Sequence, residues 1–357
     1  MKSPRLGRIV IVVLAMALLA ALTHTDVLAK KKKKKDAGVK QDPYAEYVWP
    51  PPPDEARIKL VDVISGRADV EASSGFTKAL LGASPQSAYD QLKKPFAVAI
   101  DPQGRILVTD SGNAALIRFD RQEGRMDVFG TTGSVRLKLP LGLDVTADGS
   151  IYVTDAKAAR VLVYDSDGKL ITMYGKPGEL TNPTDSAVSP DGKRLFVTDS
   201  KAHKIVIYDL ESGDKVGSIG EPGDGKGQFG FPTSVAFDTE GNLYVVDQIN
   251  ARVQVFDADG EYLDQFGALG VGYANFVRPK DIAVDEVGFI YVTDNAFNNL
   301  QLFDADFSLL TFIGEGGEGP GRFRGASGVA VHGEDFAVVD QLGRRVQLFR
   351  FVVPKSQ

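Results

Sequence analysis

Six times along this chain an apolar run closes on an aspartate: ILVTD, IYVTD, LFVTD, LYVVD, IYVTD and FAVVD end at Asp110, Asp155, Asp199, Asp247, Asp294 and Asp340. The intervals are 45, 44, 48, 47 and 46 residues, and nine residues after each Asp comes Phe119, Tyr164, Tyr208, Phe256, Phe303 or Phe349. A unit of this length holding several short apolar strands cannot bury its own faces, so the copies must pack against one another, as the blades of a propeller do. A residue present in all six copies is therefore needed for the fold, and selectivity has to be sought where the copies differ.

The first unit reads PFAVAIDPQGRILVTDSGNAALIRFDRQEGRMDVFG. Ala97 to Ile100, small and β-branched, suits an innermost strand where blades converge. Asp101-Pro102-Gln103-Gly104 is a turn, because Pro presets φ and Gly accepts positive φ. Ile106 to Thr109, Leu116 to Phe119 and Met126 to Phe129 follow as second, third and outer strands. Five units carry a fourth strand, near residues 126–129, 170–174, 216–219, 262–266 and 309–313, and the sixth has none. A matching strand, Ile58 to Ile64, lies at the other end of the chain. The expected fold is all-β: a six-bladed propeller of four-stranded antiparallel blades over 57–353, its ring closed by this N-terminal strand, which removes the free sheet edge.

The N-terminus reads as an address. Lys2, Arg5 and Arg8 precede fourteen apolar residues, Ile9 to Leu22, and Val27-Leu28-Ala29 offers small residues for cleavage. Fourteen is short of the roughly 20 residues a membrane span needs, so residues 1–29 read as an export signal, with an uncleaved anchor as the alternative. The expected location is periplasmic or extracellular. Residues 30–56 read as a Lys-rich, Pro-rich linker, with polyproline II over Trp49-Pro50-Pro51-Pro52-Pro53. Residues 30–40 hold seven Lys against one Asp, whereas from residue 41 onward 31 Lys and Arg face 45 Asp and Glu. An acidic propeller excludes nucleic acid as the expected partner. Lys30 to Lys35 leaves a weak contact with an anionic surface open. There is no Cys, hence no disulfide and no thiolate chemistry.

Phe231-Pro232-Thr233-Ser234-Val235-Ala236-Phe237-Asp238, then Gly241 to Asp247, then Asn250 to Asp257, resemble an NHL repeat: P-x-G-[IV]-A-V-D, x-x-G-x-[IV]-Y-V-x-D and an aromatic-Asp third strand. The likeness extends over about residues 57–353. The family's Asn-His-Arg turn is kept only in part, by Asn113, Asn250 and His203. The resemblance implies a six-bladed propeller used mostly for binding, with a minority of enzymes. Among those, a metal-dependent peptide-amidating lyase needs several His, while only His203 and His332 follow the leader, and at opposite ends of the ring. Lactonase-like propellers use carboxylates and Asn.

Several motifs read as turns. Gly220 to Gly227 fits G-x-x-x-x-G-K, yet Gly227 replaces the Ser or Thr that holds Mg²⁺ and a strand follows instead of a helix. Asp165-Ser166-Asp167-Gly168 and Asp257-Ala258-Asp259-Gly260 lack the distal Glu of a calcium loop. Residues 65–94 form the longest connection, with short helices expected at Phe76 to Leu81 and Pro85 to Lys93 and a role in capping one face.

Strand order puts the loops entering the inner strands and those following the second strands on one face. Residues that vary there are Phe96, Asn113, Lys157, Asp185, Lys201, His203, Gln248, Asn250, Lys280, Asp281, Asn295, Phe297, Asn298, Gln341 and Arg344. Amides and charges around one apolar anchor, Phe297, suit a polar partner. The expectation is a monomeric, non-catalytic envelope scaffold that presents this face to a protein, peptide or glycan and uses no cofactor or metal. The alternative is a metal-dependent lyase or lactonase-like enzyme at the axial channel.

Overall fold

A computed structural model describes residues 42–71 and 87–352. The segment expected as an export leader, the lysine run and the helix expected at Phe76 to Leu81 lie outside the described residues. Among the described residues no helix is long and apolar enough to cross a membrane.

The chain builds six antiparallel sheets around an axis. Blade one runs from its inner strand Pro95–Ile100 through Ile106–Asp110 and Ala115–Asp120 to the outer strand Arg125–Phe129. Blades two to five repeat this order, and their outer strands lie at Leu170–Tyr174, Lys215–Ile219, Tyr262–Phe266 and Leu309–Ile313, as the repeat predicts. Blade six takes three strands from the C-terminus, Ala326–His332, Asp335–Asp340 and Arg345–Phe351, and its fourth from Ile58–Ile64. That last strand pairs Ile58 with Phe351, Leu60 with Phe349 and Ile64 with Val346, and all three of its aliphatic partners are buried. At about 1.5–3 kcal/mol for each buried Ile or Leu, closure contributes several kcal/mol. Val48–Trp49 adds a short fifth strand, Trp49 packs edge-on against Phe349, and residues 52–53 form a turn. The polyproline II spacer expected over Trp49–Pro53 is therefore replaced by a docked strand and turn.

The conserved units have local causes. Each strand-ending Asp is fully buried and accepts amide hydrogens from the segment entering its own blade: Lys93 and Lys94 for Asp110, Lys138 and Leu139 for Asp155, Val277 and Arg278 for Asp294. Several also cap the turn that follows, as Asp294 does with the amides of Ala296 and Phe297. The six aromatics of the third strands are all buried between blades. Hydroxyl groups tie each blade to the next. Thr109 donates to Leu141 O, Thr154 to Ser186 Oγ, Ser200 to Pro232 O and Thr293 to Ser327 O. Blades four and six carry Val246 and Val339 where others have Thr, and there Thr233 donates to Lys280 O and Ser327 to Phe96 O. The strand-end Asp thus stitches each blade to its entering segment, and a nearby Thr or Ser hydroxyl stitches it to its neighbour.

The connection 65–94 differs from expectation. Its one described helix is Arg67–Val70, and residues 87–93 run as turn and bridge rather than helix. Arg67 pairs with Asp90 and Glu71, and Glu71 accepts from the amide of Met126. The described part thereby packs on the outer edge of blade one instead of capping a face.

Candidate functional site in the axial channel

The third residue of each inner strand faces its counterparts around the ring: Ala97, Gly142, Asp185, Ser234, Asp281 and Gly328. Every inner strand carries a register irregularity at this point, and such bulges re-aim side chains. Blades three to five thus present an acid–hydroxyl–acid arc, and blades six, one and two present glycine and alanine opposite. The small arc is required by close approach, since a Cβ on Gly142 would stand 2.4 Å from Asp185 Oδ1.

Ser234 Oγ donates to Asp281 Oδ1 at 2.5 Å, and Asp281 Oδ2 accepts from the amide of Val329 at 2.8 Å. Asp185 Oδ2 accepts from the amide of Val235 at 3.1 Å and lies within hydrogen-bond reach of Ser234. Burial, then the neighbouring Asp281 charge, raises the Asp185 carboxyl well above its usual range. Burial pushes Asp281 up to about 6, against the Ser234 and Val329 donors that favour its charge. Asp185 is buried, and Asp281 is half-buried where the channel reaches it. The Asp281 charge disfavours an ionised Asp185, whereas the Lys280 charge favours an ionised Asp281, so Asp281 is the more acidic member of the pair. In blade two Asp144 accepts from Val188 N at 2.9 Å and is likewise raised by burial.

The arc is the floor of a funnel of about 370 Å³ that opens where the inner strands end, on the face carrying the first hairpin turns. Aliphatic ends such as Ile100, Val145, Val188 and Val331, together with Phe237, form its wall. Beyond the floor, toward the loop face, the channel narrows to about 10 Å³. Lys280 Nζ sits 4.7 Å from the centre of the Phe96 ring there, and burial lowers its pKa.

The fifteen residues expected on the loop face separate by role. Asp185 and Asp281 belong to the channel, and Phe96 and Lys280 to its narrow end. Six hold neighbouring segments: Asn113 bonds Gln91 O, His203 Nδ1 lies 3.0 Å from Phe229 O, and Gln248 bonds Pro279 O. Asn250 bonds Gly223 O, Asn295 bonds Ala326 O, and Asn298 Oδ1 accepts from Gly325 N. Gln341 receives its turn's backbone contacts, while Lys157, Lys201 and Arg344 are exposed. Phe297 is half-buried beside an apolar groove of about 500 Å³ with Val271, Tyr273 and Phe312. Ser234 and Asp144 escaped the sequence reading. Aligning the six inner strands column by column exposes both: Asp144 stands where every sister blade has Ala, and Ser234 stands between Asp185 and Asp281 in a column otherwise of Gly and Ala.

A metal does not fit these residues. Among the described residues no three His, Asp or Glu groups gather closely enough to hold an ion. His203 lies in a loop-face turn, and His332 ends an inner strand at the opposite face.

The geometry defines a six-bladed β-propeller with a polar axial site. The sequence profile of the SMP-30/gluconolactonase/LRE-like region matches residues 179–268, and that of a 6-bladed beta-propeller matches residues 130–222. Among solved structures, a Xanthomonas campestris gluconolactonase aligns at 18% identity and TM-score 0.56 over 82% of this chain and 98% of its own. Virginiamycin B lyase from Staphylococcus aureus aligns at 17% and 0.55 over 75% and 83%. A Bacteroides thetaiotaomicron protein of unknown function aligns at 15% and 0.61 over 83% and 76%. At these identities the likeness is one of fold. No curated protein sequence matches the chain.

Proposed function

We propose that this protein is a lyase- or lactonase-like propeller enzyme that works in the axial funnel with a carboxyl pair in place of a metal. The observation that carries the reading is the Asp185–Ser234–Asp281 arc at the funnel floor. Asp281, the ionised member, takes a proton from an attacking water or from substrate carbon, and Asp185 delivers one to the departing oxygen. Ser234 lets the pair exchange that proton afterwards. Two carboxyl groups in one site whose environments separate their proton affinities are the recurring pattern for acid–base work near neutral pH. The matched profile over residues 179–268 spans the strands of Asp185 and Ser234, and a gluconolactonase and a lyase share the fold. Within this reading the blades are of NHL type, and the enzyme is exported.

Turnover of a panel of lactones and activated esters tests the proposal. Wild type is expected to act with a bell-shaped pH profile, and Asp185→Asn and Asp281→Asn to lose about 10²–10⁴-fold. Absence of turnover, or turnover that the double variant keeps, overturns it. The scaffold reading has the Phe297 groove in its favour. It predicts that a folded Phe297→Ala bait loses an envelope partner that Asp281→Asn retains.

A further inference from the structure

The funnel has a sign. Six carboxyl side chains line it: Asp144, Asp185 and Asp281 at or near the floor, and Asp238, Asp285 and Glu286 at the mouth. Among the described residues no Lys, Arg or His shares the lining, although the chain has 41 Lys and Arg. Lys280 stands on the far side of the constriction. Asp238 and Asp285 keep their places by accepting turn amides and a tyrosine hydroxyl each, from Tyr244 and Tyr291. These are hydrogen bonds from neutral donors, which leave the negative charge uncompensated. The cavity exists by virtue of its apolar wall and depth; the carboxyl groups decide what it admits.

We propose that the funnel takes a small cationic ligand, a primary amine or guanidinium carried on an apolar body, with the charged end toward the carboxyl floor and the body against Phe237 and the valines. This rests on the funnel being the working site and narrows its substrate class. A cleft of one sign with low-dielectric walls raises the local concentration of the opposite ion by roughly 10–10³. An anionic ligand is repelled at the mouth before it reaches the apolar wall.

Three probes of one shape separate charge from shape: phenethylamine, 2-phenylethanol and 3-phenylpropionate, titrated calorimetrically into the full chain at pH 7.5. The amine is expected to bind at least about tenfold more tightly than the alcohol, and the acid not measurably. The amine's advantage should shrink severalfold in Glu286→Gln with Asp285→Asn, but not in Asp306→Asn, an exposed carboxylate on the same face away from the funnel. Raising salt should shrink it at the mouth more than at the floor. Alcohol or acid binding as tightly as amine overturns the cation assignment while the funnel stands as the working site. Failure of all three to bind, or an amine preference that Asp306→Asn removes equally, also overturns the assignment. Turnover that survives in the double floor variant overturns the site itself.

Discussion

Two sets of buried carboxyl groups sit eleven to fourteen residues apart in blades two, three and five, and their surroundings are opposite. The six strand-end aspartates are fully buried and richly supplied: Asp294 accepts from the amides of Val277, Arg278, Ala296 and Phe297, and Asp247 and Asp340 touch Arg252 and Arg345 at 3.0 and 2.9 Å. The axial aspartates occur in three blades only. Asp144 takes one cross-blade amide, and Asp185 and Asp281 share one hydroxyl and take one such amide each. The repeated carboxylates are matched by the donors they organise. The unrepeated ones are held against their charge by burial. A propeller can afford that strain at its axis because the blades, closed by the N-terminal strand, fix the inner strands from outside.

The sharpest test of the repeated set is Asp294→Ala. Four backbone amides lose their acceptor, and orphaned buried donors cost about 1–3 kcal/mol each, partly relieved by water at a turn. A loss of about 3–5 kcal/mol in urea unfolding is expected. A loss under about 1 kcal/mol would mean that the turns hold themselves and the aspartates are not organisers.

The axial set should respond in the opposite sense. Asp281 binds its proton more tightly folded than unfolded, so between about pH 4 and 6 the native state holds more protons, and stability falls as pH rises through that window. Asn resembles the protonated acid, with one acceptor and one donor, and has nothing to ionise. Relative to Asp281→Asn, wild type should therefore lose on the order of 2 kcal/mol between pH 4.5 and 7.5. Parallel stability profiles for the two proteins would show that the channel hydrates Asp281 fully, and would remove the basis for treating the pair as acid and base.

Most of the fold was legible because the repeat is written six times: strand positions, ring closure by Ile58–Ile64 and the need for the strand-end Asp follow from counting. The site was legible only in fragments. Asp185 and Asp281 stood out as variable residues, but the bulge in each inner strand turns them from the loop surface into the channel, and a bulge leaves no mark in residue type. Ser234 looked like one more small residue of an inner strand. Its meaning lies in having Asp185 in the blade before and Asp281 in the blade after, which is visible only when the units are stacked around an axis. The amides expected on a binding face, such as Asn113, Asn250 and Asn298, instead bond neighbouring backbone. A single turn cannot announce this in advance, because the partner segment arrives from about twenty-five residues away.

The smallest effect concerns the cation at the axis. Arg252 and Arg345 touch their carboxylates, whereas Lys280 pairs with no carboxylate among the described residues and rests over Phe96, its charge only helping to hold Asp281 ionised from a distance. Replacing it in Lys280→Met removes a cation–π contact of about 0.5–1 kcal/mol and also the burial penalty of the ammonium group. The two nearly offset, so stability should change by under about 1 kcal/mol. The proton affinity of the pair should nonetheless rise, moving the midpoint of its titration upward by a fraction of a unit, as followed by carbon-13 shifts of the Asp281 carboxyl. Such a shift would place Lys280 in electrical contact with the funnel floor across the constriction. An unmoved midpoint would make the narrow end an insulating plug and confine the axial site to the funnel side.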